Sequence, residues 1–165
     1  MKNKSLNMLI VGLILLGIMA VMLTVLMDFA HDDFKENVKV NRNGATMETL
    51  TVRGLKLNPT EKKEYEVNLT CLASGGFDIF LDYEEKQNGG MKPFVNVTVK
   101  SDGNVVYEGT LTELLDTDKV IEFDGELKAK EPLVVTICYE MPYDVGNEAQ
   151  GTSADFDIHL KIVKN

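Results

Sequence analysis

The chain has no tryptophan, two histidines (His31 and His159), two cysteines and four prolines in 165 residues. Each shortage closes a class of function. Zinc peptidases need paired imidazoles on one helical face, as in His-Glu-x-x-His, and that pattern is missing. His159 lies between Asp157 and Lys161 and reads as a solvated surface histidine. A Gly-x-Ser-x-Gly nucleophile elbow is absent too. Cys138 has no base beside it in sequence to make it a nucleophile. Sugar sites stack rings on exposed aromatics, and the missing tryptophan weakens that reading. Basic residues are outnumbered, 17 against 26 acidic ones, for a net charge of −9, so nucleic acid would be repelled. A metallopeptidase is the lowest-ranked activity, and the chain reads as a non-enzyme.

Charge is also missing from residues 5–27, which hold no Asp, Glu, Lys, Arg or His. An apolar helix of that length spans a bilayer core of ~30 Å at ~1.5 Å per residue. Lys2 and Lys4 precede the run, and Asp28, His31, Asp32 and Asp33 follow it. Positive charge stays on the cytoplasmic side, so the chain after Met27 is expected outside the cytoplasm. The run is longer than the core of a cleavable signal, which has ~7–15 residues, and no good small-x-small site follows it. A retained membrane anchor is therefore favoured over secretion after cleavage. The expected organisation is an anchor or signal over residues 1–27, a charged stalk or arm over residues 28–45, and one domain over residues 46–165.

After residue 45 the hydrophobic period is two almost everywhere. Leu50 and Val52 alternate, and Leu55 and Leu57 then switch parity across Gly54, which predicts a bulge. Strands are expected over residues 49–57 and 64–72. A third carries Phe77, Ile79, Leu81 and Tyr83 inside and ends before a loop of Gln87, Asn88, Gly89 and Gly90. Residues 94–100 and 105–111 form a hairpin around Asp102-Gly103, the pair a tight turn needs. One helical turn is expected over residues 111–115, a short strand over 120–123, and a strand opened by Pro132 and running to Met141. A long polar loop, residues 143–153, precedes the last strand, with Phe156, Ile158, Leu160 and Ile162 inside. About eight strands at such spacings predict an all-β antiparallel sandwich, immunoglobulin-like or jelly-roll.

Cys71 shares the apolar face of its strand with Tyr65, Val67 and Leu69, whereas Cys138 falls on the face opposite Ile137 and Tyr139. Strand parity thus argues for two unpaired thiols rather than a bridge. Asp116 and Asp118 flank Thr117, and Asp124, Gly125 and Glu126 follow soon after. Such oxygen ligands would suit calcium, but the EF-hand spacing is missing and solvated turn carboxylates are the better reading. No cofactor is expected.

The stretch from Met141-Pro142-Tyr143 through Asn147, Gln150 and Gly151 to Ala154-Asp155-Phe156-Asp157-Ile158 resembles the C-terminal end of the TasA/camelysin family of exported bacterial proteins. Leu57-Asn58-Pro59 is similar to the family's Leu-x-Pro-Gly turn without its glycine, and Tyr107-Glu108-Gly109-Thr110-Leu111 fits as well. The resemblance implies a β-sandwich whose subunits build extracellular matrix fibres when an N-terminal segment of one completes the sheet of the next. Main-chain bonding of that kind needs an open sheet edge and an extended arm. Val38, Lys39 and Val40 are the candidate arm, and a stalk or an edge strand of the chain's own domain is the equal alternative. The first expected function is a cell-surface or matrix structural protein whose partners are the membrane and further copies or related surface proteins. The second is an anchored sugar- or peptide-binding module using the loop residues Tyr143, Asn147, Glu148 and Gln150.

Overall fold

Backbone pairing in the computed structural model, which describes residues 33–42, 44–117 and 119–165, follows one plan: a long hairpin closed from the outside in. The strands are β1 (Asp33–Lys39), β2 (Thr46–Leu55), β3 (Lys62–Thr70), β4 (Gly75–Gly89), β5 (Asn96–Ser101), β6 (Asn104–Thr110), β7 (Ile121–Leu127), β8 (Leu133–Glu140) and β9 (Ser153–Lys164). β2 pairs with β9, β3 with β8, β4 with β7 and β5 with β6, all antiparallel. The hairpin then rolls up, so that β4 also meets β9 and β5 also meets β8. The result is a sheet ordered β2-β9-β4-β7 facing one ordered β3-β8-β5-β6, the strand order of a jelly roll.

β1 stands outside this plan. It adds to the β3 edge of the second sheet as a fifth strand. Lys35 reaches Glu66, Asn37 accepts from Asn68, and the Val40 amide donates to Thr70. Both numbers rise together, so β1 runs parallel to β3 in an otherwise antiparallel sandwich. The residues expected as an arm are thus an edge strand from Asp33 on, and Val38 and Val40 join the core.

Alternation does what the sequence predicts in most strands. Phe77, Ile79, Leu81 and Tyr83 of β4 and Phe156, Ile158, Leu160 and Ile162 of β9 are buried. They meet in register, Ile79 opposite Ile162 and Leu81 opposite Leu160. The expected bulge is present: the β2–β9 register shifts between Val52 and Leu55, and Gly54 takes φ +60°. Asp102 and Gly103 both take positive φ in the β5–β6 turn. The helical turn is α1 (Leu111–Asp116), started by a capping box in which Thr110 and Glu113 bond each other's backbone amides.

Three expectations are corrected. Among the described residues nine strands form where about eight were expected, the added one being β1. Gln87, Asn88 and Gly89 are strand rather than loop, because β4 recovers its pairing with β9 after a bulge at Lys86. The short strand expected to stop at Phe123 continues to Leu127, with Gly125 opposite Phe77 and Leu127 fully buried.

The expected membrane segment, residues 1–27, lies outside the described residues, as does Asp118. Among the described residues no helix is long and apolar enough to cross a membrane.

Candidate functional site

The polar loop between β8 and β9 folds back on itself through turns. Ala149 anchors it in the core at 5% exposure, the Thr152 hydroxyl donates to the Ala149 carbonyl at 2.7 Å, and the Gln150 amide donates to the Asn147 carbonyl at 3.0 Å. Opposite it lies the β2–β3 turn, where Glu61 accepts from the Asn58 backbone and side chain at 2.8 and 2.9 Å. The Thr60 amide donates to the Met141 carbonyl, which fixes the turn against the end of β8. Between loop and turn is a cleft of about 400 Å³, lined by Lys56, Asn58, Asn147, Gln150 and Thr152 among others.

Of the four loop residues named from sequence, Asn147 and Gln150 line this cleft, and the Gln150 side-chain amide donates to Asn147 Oδ1 at 3.1 Å. Tyr143 and Glu148 do not line it. Tyr143 projects from the loop at 85% exposure. Lys56 and Asn58 carry no sequence signal that marks them as cleft residues. They come from the β2–β3 turn, about ninety positions earlier, and only the roll-up of the hairpin brings the two loops together.

The outer face of the β2-β9-β4 sheet carries a second constellation. Asp157 accepts from the Thr51 hydroxyl at 2.9 Å and meets Lys86 at 3.3 Å and Arg53 at 3.4 Å. The Thr51 bond first, and then the two cations, hold its carboxyl below the usual range. Asp155 accepts from the Gly54 amide at 2.7 Å and so closes the β2 bulge. His159 is not merely solvated. Its Nε2 sits 3.0 Å from Glu84 and its Nδ1 3.2 Å from the Thr49 hydroxyl. Hydroxyl, imidazole and carboxylate thus stand in line, but on an exposed pleated face rather than in a cleft. The arrangement laces three strands together.

Both cysteines are free, as parity predicted, and both are buried, which parity predicted for Cys71 alone. Cys71 belongs to the core, and Cys138 lies outside it under Lys62 and Glu64. Lys62 and Glu64 pair at 2.6 Å, and burial pushes the Cys138 thiol up despite the nearby ammonium. A protonated, covered thiol is a poor nucleophile. Asp116, one of the carboxylates weighed for calcium, takes the Lys92 ammonium at 2.6 Å instead. Among the described residues no cluster of His, Cys, Asp and Glu has the makings of a metal site.

No family model matches this chain, and no curated protein matches it. Solved structures similar to it include PliG of Aeromonas hydrophila, a periplasmic inhibitor of g-type lysozyme, at 14% identity over 79% of this chain and 98% of that one, TM-score 0.38. The pre-peptidase C-terminal domain of a Bacillus anthracis collagenase is similar at 13% identity, 78% and 95% coverage, and TM-score 0.37. The CUB1-EGF-CUB2 domains of rat MASP-1 give 13%, 78% and 42%, and 0.39. Likenesses at this level carry no argument about what this chain binds.

Proposed function

We propose that this chain is a non-enzymatic structural protein of the bacterial cell surface or extracellular matrix, whose copies join by exchanging β1. Outward placement rests on the uncharged run over residues 5–27, and the matrix role on the resemblance to the TasA/camelysin family. One observation carries the mode of assembly. The eight strands β2 to β9 pair completely among themselves, and β1 is an added, parallel edge strand. A strand that the roll does not need for its own closure can come from the same copy or from a neighbour. The link from Val40 to β2 is what exchange would open. The slot is specific, because Val38 and Val40 fill core positions and Phe34 packs on Tyr65 with ring centres 5.7 Å apart.

Mixing two single variants of the full-length chain, Asn37→Cys and Asn68→Cys, tests the exchange. The two side chains touch at 3.3 Å, and the wild-type chain with its buried thiols is the control. Exchange gives disulfide-linked dimers holding one copy of each variant. If mixed dimers never form, while a single chain carrying both changes closes its own bridge, β1 does not leave its copy.

The cleft beside the β8–β9 loop favours a second reading, an anchored sugar- or peptide-binding module, because Asn58, Asn147 and Gln150 gather amide groups there. A glycan and peptide array without binders would remove it.

A further inference from the structure

Strand direction sorts the surface of the roll into two poles. Lys62 lies opposite Glu140 at one end of the β3–β8 pair, and Leu69 lies opposite Leu133 at the other. The loop bearing Tyr143 follows β8 at the first pole. Leu72 follows β3 at the second. Nine residues of β3 at about 3.3 Å each separate the poles by about 30 Å.

The two most exposed large hydrophobic residues among those described are Leu72 and Tyr143, each at 85%, one at each pole. Around Leu72 is a cleft of about 410 Å³, lined by Lys39, Val40, Thr70, Cys71, Leu72 and Lys130. Its floor is apolar, and its charged members are both lysines. Neither is ion-paired among the described residues. Asp102 and Glu131 belong to this pole but not to the lining, and Asp102 is taken by the Val134 amide at 2.9 Å. The Lys130 amide donates to the Cys71 carbonyl at 3.0 Å, and Lys130 takes φ +67°, so the backbone under this lysine is fixed. At the far pole Tyr143 stands next to Asp144, which is exposed and has no ion partner among the described residues.

An aromatic ring beside an unpaired carboxylate is the complement of an apolar cleft flanked by two unpaired ammonium groups. We infer that a second copy of this chain seats its Tyr143 and Asp144 in the cleft of Lys39, Val40, Leu72 and Lys130, so that copies stack head to tail. The poles lie too far apart for the contact to close within one copy. A contact between unlike ends is heterologous and continues from copy to copy rather than closing as a dimer. A single tyrosine buries about 150–250 Å², so one contact is weak, and the stack gains strength only where copies are held at high local density. The inference rests on the reading that copies assemble; its cleft adjoins the β1 slot and shares Lys39, Val40 and Thr70 with it, but the junction is made by the loop after β8 rather than by an exchanged β1.

Charge reversal tests it. Full-length chain in mild detergent is followed by sedimentation velocity over a range of concentrations, as wild type, K39E/K130E and D144K. Each variant alone should raise the association Kd about tenfold or more, because like charges then face each other. A mixture of the two should regain wild-type association, since every junction in an alternating stack pairs opposite charges. Added salt should weaken the wild-type contact. A wild-type chain that stays monomeric throughout, or association that both reversals leave unchanged, would overturn the inference. Mixed Asn37→Cys/Asn68→Cys dimers report β1 exchange separately, so exchange without charge-dependent stacking, or the reverse, is recognised directly.

Discussion

At the scale of single residues, the centre of the roll is held by an aromatic line with one polar joint. Phe34, Tyr65, Tyr139 and Phe156 touch in sequence, and Tyr83 packs on Phe156, with ring centres 5.4–5.8 Å apart. Tyr83 and Tyr139 bring two hydroxyls into the core, and each is the other's partner at 3.4 Å. That bond is long for an O–H···O contact, yet it is what satisfies both groups. Removing one hydroxyl strands the other. Y83F or Y139F should therefore each cost about 1–3 kcal/mol in urea unfolding, while the double variant should cost less than either. A double variant as costly as the sum of the singles would show that the pair is not the joint. The same burial pushes both phenols well above their usual range. A pKa raised in the folded state gives stability that is complete below the unfolded value of about 10 and is lost as pH rises past it. Phenolate absorbance from these two rings should appear only together with loss of the fold. Tyr107, half-buried beside Glu113, is pushed up to about 12 by desolvation first and the carboxylate second.

At the scale of elements, Gly89 shows why one strand hides in the sequence. Gln87-Asn88-Gly89-Gly90 has the composition of a loop, yet Gly89 pairs with Ser153 at the end of β4. A Cβ on Gly89 would run into the Ser153 backbone. Glycine is there so that two strands can approach closely, rather than so that the chain can turn. G89A should destabilise the domain by about 1–3 kcal/mol and speed amide exchange at Gly90 and along the first residues of β9. Unchanged exchange there would mean that the β4–β9 end is loose already. β7 reads short in the sequence for a related reason: its polar and glycine residues, Asp124, Gly125 and Glu126, look like a turn. Gly125 gives room to Ile79 and Leu133, whose methyl carbons would lie 2.6 and 2.9 Å from an added Cβ. Strands with unbroken alternation, β9 above all, were legible because burial on one face leaves a period of two and nothing else. The bulge at Gly54 was legible because a strand whose buried face changes parity must hold one residue more than its partner, and glycine tolerates the backbone that the extra residue takes. Half the loop site was legible, since a long polar loop with Asn147 and Gln150 announces itself. Lys56 and Asn58 were not, because cleft partners from different loops meet only through topology. The burial of Asp157 and Cys138 on outward faces was hidden too, since parity says which way a side chain points but not what covers it.

At the scale of the whole molecule, the question is whether β1 belongs to the same cooperative unit as the roll. It contributes Val38 to the core, with Val40 just beyond its end, but it has a neighbour on one side only and is not part of the antiparallel hairpin that closes the sandwich. Long-range pairs such as β2 with β9 make that hairpin an all-or-none structure, because its outermost strands are joined only when the inner ones are in place. β1 lacks such a lock. Opening it breaks one ladder and exposes Val38, Val40 and part of Tyr65, while β3 still keeps β8 on its other side. Native-state hydrogen exchange should therefore resolve two levels of stability. Amides of β1 and the Val40 amide on Thr70 should exchange through a sub-global opening with little dependence on low denaturant, and amides of β8 and β5 only through global unfolding. V38D should speed exchange of the first group several-fold and leave the second nearly where it was. If β1 and β8 amides instead share one opening free energy, the strand is part of the roll's own cooperative unit, and exchange between copies would require each to unfold first.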